Sequence, residues 1–200
     1  MTRRRVWVSA VVAALVVAVV AVVLVARHGS GTAGPELARQ DGAYGWSDSF
    51  AVGDTFTDGL NLVTVTDRAT GPLTLVSAKP VDAKGDNLEL LGERARVVPD
   101  MLPSGYQTGW FQHVAGFPPT SGDAAGGVAV NGLVVRPSRA GEDRWIEIQI
   151  GYRVKGPGRY VRAGVEVVYR YAGETRHVVI PSHLAICAPA TVACPDESAN

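Results

Sequence analysis

The clearest alternation in the chain runs from Trp145 to Val154. Ile146, Ile148, Ile150, Tyr152 and Val154 fall on one face, and Glu147, Gln149, Gly151 and Arg153 on the other. Period two marks a strand with one apolar face. Lys155-Gly156-Pro157-Gly158 then supplies a turn. Residues 161–171 repeat the pattern, with Val165, Val167, Tyr169 and Tyr171 on one face and Glu166 and Arg170 on the other. Ala172-Gly173 turns that strand into a hairpin partner over 174–180. Earlier, residues 60–66 alternate, 67–72 turn, and 73–78 return, with Pro80 limiting how far that strand extends into a sheet. Residues 88–98 and 127–135 are further candidates, and 183–188 the last. Short, turn-bounded strands at this spacing predict an all-β domain, an Ig-like antiparallel β-sandwich, with a small closed β-barrel as the alternative.

The N-terminus follows another rule. Val6 to Ala26 is an uncharged run of 21 residues, eleven of them Val. At helical rise it spans about 30 Å, the thickness of a bilayer's hydrocarbon core. Inside lipid a lone segment pairs its backbone amides only as a helix. Arg3, Arg4 and Arg5 precede the run, which keeps the N-terminus cytoplasmic and sends the remainder outward. A cleaved signal peptide is the competing reading, but its apolar region would be shorter and the site at Leu24-Val25-Ala26 is a weak match. Gly-rich, polar residues with Pro35 follow and read as a stalk. The expected organisation is a basic cytoplasmic N-terminus (1–5), a single transmembrane helix (6–26), a flexible stalk (27–40) and an extracytoplasmic β domain (41–200). The expected location is the cell membrane, single-pass.

Charge changes little in this picture. Formal net charge is zero, but residues 41–100 hold ten acids against five bases, and 136–176 nine bases against five acids. Two opposite stretches predict mutual neutralisation in the fold, and no concentrated basic face of the kind nucleic acid requires. Cys187 and Cys194 are the only cysteines. Outside the cytoplasm such a pair forms a disulfide, here one that pins the C-terminal tail to the last strand.

Candidate chemistry is sparse. No nucleophile elbow, zinc-protease helix or phosphate loop occurs in the sequence. Asp54, Asp58, Asp67, Asp82 and Asp86 read as turn aspartates. The acidic segment 48–58 fits no calcium-loop spacing, and the four histidines contain no pair at i, i+2 or i, i+4, so neither a metal nor a cofactor is expected. The stretch 98–126 is too long for a hairpin loop and rich in aromatics. Tyr106, Trp110, Phe111, His113 and Phe117 are its candidate binding surface. In the alternative, Trp110 and Phe111 fold back to cap an open end of the sandwich. Tyr44 and Trp46 are expected to tuck under the first strand. The leading functional expectation is a non-enzymatic module that binds another envelope or membrane protein. A carrier or sensor of a small ligand or metal, using His113, is the alternative, and an enzyme of unfamiliar type the third.

Overall fold

A computed structural model describes residues 34–39, 44–98, 112–120, 124–137 and 144–195. The expected cytoplasmic segment, the apolar run 6–26 and most of the expected stalk lie outside them. No helix among the described residues is long and apolar enough to cross a membrane.

Two sheets pack face to face. One contains β1 (Leu37–Arg39), β3 (Thr55–Val65), β9 (Arg144–Val154), β5 (Leu88–Val98) and β7 (Val128–Ala129), in that order. Within it, β6 (His113–Ala115) also pairs with β3, beside Phe56–Asp58, whereas β1 pairs beside Val63–Val65. The second sheet runs β2 (Tyr44–Ser49), β11 (Glu174–Ala188), β10 (Gly158–Tyr171), β4 (Leu73–Val81) and β8 (Val134–Val135). All pairings are antiparallel except β2 with β11, which is parallel. The all-β expectation holds. The closed barrel does not, because the strands divide between two separate sheets.

The main core lies between the inner faces. Ile146, Ile148 and Ile150 of β9 meet Val165, Val167 and Tyr169 of β10 and Leu184 and Ile186 of β11. These are the apolar sets that the period-two alternation assigns to one face. A smaller cluster of Leu62, Val98 and Trp145, joined by Leu60, lies apart from the main core. Glu147 and Gln149 are also fully buried. The side of β9 expected to face solvent is therefore covered along much of its length.

Three strand expectations change. Residues 174–180 and 183–188 form one strand, β11, running through Pro181 opposite Gly164. The register between β10 and β11 shifts beside this proline, where Ala163 alone stands against Ser182 and His183. Residues 127–135 form two short strands on different sheets, separated by a turn at Asn131-Gly132. Pro80 does not end β4, which reaches Val81; β8 pairs only with Leu73 and Thr74, leaving Pro80 beyond that pairing. Six residues of the expected stalk, 34–39, join the domain. Leu37–Arg39 is a strand on β3, and Glu36 is buried with both carboxylate oxygens 2.8 Å from Arg176 Nη1.

Candidate interaction surfaces

Two bulges build the most polar region of the interior. In β3, Asp58 pairs with Ile150 and Asn61 with Ile148, so Gly59 and Leu60 stand against Gln149 alone. Leu60 takes a φ of 58°, which a branched side chain rarely adopts. The extra residue aims both Asp58 and Asn61 inward. Between β10 and β11 the register shift at Ala163, with the extra residue on β11, likewise leaves both Arg162 and Val165 facing inward.

Arg162 and Asp58 meet between the sheets, both side chains fully buried, with Nη1 2.7 Å from Oδ2. Arg162 Nη1 also reaches the Tyr152 hydroxyl at 3.3 Å, and Nη2 donates to Asn61 Oδ1 and Ser182 Oγ, each at 2.9 Å. Nε donates to the Ser182 carbonyl at 3.3 Å. These contacts occupy the whole guanidinium fork. Asp58 Oδ1 accepts from the Trp46 indole at 2.9 Å and Oδ2 from Asn61 Nδ2 at 2.9 Å. Burial pulls the Arg162 pKa down, but Asp58 and Tyr152 more than offset it, so the guanidinium stays charged. A group this fully paired has no donor left for a ligand. Its work is to lock β3, β10 and β11 in register.

Asp58 is thus an interior strand residue and not the turn aspartate expected from its neighbours. Asp54, Asp67, Asp82 and Asp86 do lie outside strands. Arg162 carried no signal in the alternation because the bulge reverses its facing. Gly164 after it is the one local hint that the strand is irregular.

An aromatic stack continues outward from this lock. Tyr152 stacks on Phe56 (centroids 5.4 Å apart), and Phe56 on Phe50 (4.5 Å). His113 lies flat on Trp46, with centroids 4.7 Å apart and an interplanar angle of 16°. Its Nε2 sits 3.6 Å from Asp48 Oδ2. Here β6 of one sheet touches β2 of the other, so the stack closes that side of the sandwich. Trp46 is a core residue and Tyr44 packs partly buried against the core, both from β2.

Phe117, in the loop after β6, is half-buried. Its ring covers Gly151, where a Cβ would overlap it, and it touches Gly92, the cross-strand partner of Gly151. A pair of glycines makes the slot that this ring fills. His113 and Phe117 are thus packed against the domain's own residues. Tyr106, Trp110 and Phe111 lie outside the described residues. No group of three or more His, Cys, Asp or Glu that could hold a metal occurs among the described residues, and His113 has only Asp48 beside it. His177 pairs instead with Glu166, Nδ1 to Oε1 2.7 Å.

The opposite side of the sandwich is open. Leu90 pairs with Tyr152, Val97 with Ile146, and Val128 with Ala95. Directly paired residues share a face, so all three point the way the core residues do. Yet they are 46%, 43% and 48% exposed. Exposed apolar side chains on β5 and β7 thus extend past the cover that the facing sheet provides, with Glu93, paired with Ile150, on the same face between Leu90 and Val97. Sequence reading could not single them out, since Leu90 and Val97 fit a buried strand equally well.

Cys187 and Cys194 form the expected disulfide, Cα atoms 5.3 Å apart. The looped tail folds against the ends of β2 and β10: Ser49 Oγ donates to the Val192 carbonyl, and Arg159 Nη2 donates to that of Pro195.

No protein-family model matches the chain, and no curated protein matches it. Among solved structures, the CFA/I adhesin CfaE of enterotoxigenic Escherichia coli superposes with a TM-score of 0.37 at 7% identity, over 77% of this chain and 48% of the adhesin. The CooA pilin subunit of enterotoxigenic Escherichia coli gives 0.34 at 8% identity, over 77% of this chain and 97% of the pilin. The VesB protease of Vibrio cholerae gives 0.32 at 8% identity; the match covers 77% of this chain but only 32% of the protease. Values this low assign neither a family nor an activity.

Proposed function

We propose that this chain is a membrane-anchored, extracytoplasmic interaction module without catalytic activity, built on an Ig-like sandwich and engaging another envelope or membrane protein. The observation that carries the binding reading is the exposure of Leu90, Val97 and Val128. Large apolar side chains left exposed on the core-facing side of a sheet edge are of the kind that protein partners cover. The polar interior supports the non-enzymatic part, because its charged groups are spent on one another. Anchoring is supported by the 6–26 run behind three arginines, and the oxidising compartment by the disulfide.

A photo-crosslinking residue placed at Leu90 of the full chain in its native membrane tests this reading. The expected outcome is one reproducible protein adduct, lost when Val97→Asp and Val128→Asp are added. A crosslinker at Val179, exposed on the outer face of β11, serves as the control and should give none. No reproducible adduct at Leu90, or equal adducts at Leu90 and Val179, would defeat it.

A further inference from the structure

The two charge stretches pair only in part, and four of the arginines outside those pairs gather at one end, whereas Lys79, Lys84 and Arg94, also outside them, lie elsewhere on the domain. Arg162 pairs with Asp58, Arg153 with Glu89, and Arg176 with Glu36 and Glu174. Arg68, Arg136, Arg144 and Arg170 are in no ion pair among the described residues. All four lie at the same end of the sandwich. Val65 pairs with Leu37 on one side and with Arg144 on the other, so β1 and β9 both begin there. The turn at 66–72 leads from that end into β4, β8 finishes beside Leu73, and Arg170 pairs with Thr74. This is the end at which the chain enters the domain, through Gly34.

Arg136 and Arg144 flank one open groove, whose remaining lining is Pro72, Val134 and Pro137. Arg144 donates to the Arg136 carbonyl at 3.1 Å, which holds its guanidinium at the rim. Val134 is 56% exposed. The nearby acids are few: Glu36 and Glu174 are committed to Arg176, and Asp67 lies beside Arg68. A groove with an apolar floor between two guanidinium groups suits a phosphodiester that carries a greasy body.

The geometry points to this end of the domain as a docking surface for anionic phospholipid headgroups. The inference rests on the anchored reading proposed above. If residues 6–26 span a bilayer, only 27–33 separate that run from Gly34. Seven residues reach about 15 Å as a coil and at most about 25 Å when extended. Headgroup charge is felt over about 8 Å at physiological salt, so a tether this short keeps the arginines within range of the surface. Each arginine brought to an anionic surface raises its occupancy about fivefold.

Amide hydrogen exchange of the full chain in lipid nanodiscs tests this, with zwitterionic discs compared against discs containing phosphatidylglycerol. Retention of the chain in the discs after an alkaline wash is scored first, and loss at that step would contradict the anchor and not the headgroup contact. In retained chain the expected result is about tenfold slower exchange at 66–76 and 132–137 in the anionic discs. High salt should abolish it, and so should Arg136→Glu with Arg170→Glu. Both arginines are exposed, and unchanged exchange in β9 would show that the variant remains folded. Equal exchange in the two lipids, or slowing indifferent to the variants, would overturn the proposal. Slowing seen only in native membranes would assign the surface to a protein and overturn it equally.

Discussion

At the residue scale the decisive feature is the Arg162–Asp58 pair. Its charges are far from water, so each depends on the other and on the five side chains and carbonyls around them. Removing one partner leaves an uncompensated buried charge, and Arg162→Met or Asp58→Leu should each cost about 3–5 kcal/mol. The double substitution should recover part of that loss, because no charge is left uncompensated, although the Trp46 indole, Asn61 and Ser182 lose partners. Urea unfolding of the four variants in a double-mutant cycle measures the coupling, and additive losses would refute the lock. The aromatic neighbours add a pH signature. Burial raises the pKa of Tyr152, Tyr160 and Tyr44, and that of Tyr169, helped by Glu36, up to about 12. Raised values mean that the unfolded chain loses these protons first as pH climbs. Stability is therefore intact below pH 10, the ordinary tyrosine value, and falls as pH rises toward 12. Thermal melts across that window should show the fall, with a smaller one in Tyr152→Phe. None of this lock was legible beforehand. Asp58 looked like one of several turn aspartates, and Arg162 like an outward residue, because a bulge is a one-residue event that period-two counting passes over.

At the scale of the element, the alternation read best where strands are regular. β9 begins one residue earlier than expected, β10 carries the faces assigned to it from Val165 to Tyr171, and the first half of β11 is its expected hairpin partner. Reading failed where a strand owes its existence to a partner distant in sequence. β1 is three residues in a Gly- and Pro-broken stretch; it is held by β3 and by the Glu36–Arg176 clasp, and neither is visible locally. His113 and Phe117 were found by composition, but their role is set by Trp46 beneath one ring and Gly151 beneath the other. The slot predicts a specific failure: Gly151→Val drives the Phe117 ring off the sheet and should cost about 1–3 kcal/mol. Phe117→Ala combined with it should relieve part of that cost, and an unchanged denaturation midpoint in Gly151→Val would contradict the packing. Reduction of Cys187–Cys194 is the milder test. Closing so short a loop contributes about 2–3 kcal/mol, and its loss should lower the melting temperature while raising exchange at 187–195 first. A melt insensitive to reductant would mean that the tail is held by other contacts.

For the whole molecule, the two long sides of the sandwich differ in kind. One is closed by His113 on Trp46 and the stack behind it; the other leaves Leu90, Val97 and Val128 uncovered. The end where the chain enters carries four arginines that are in no ion pair among the described residues. The proposed partner beside the sheet edge and the proposed lipid surface at one end are compatible demands on one domain, if it is tethered as proposed. Both depend on the tether. Protease digestion of intact cells, followed by mass mapping of the membrane fraction, tests that central claim most directly. The account predicts that the domain from Gly34 onward is released into the medium, its disulfide intact, while residues up to the 6–26 run stay with the membrane. A full-length chain protected from protease, or recovered in the soluble cell fraction, would contradict it.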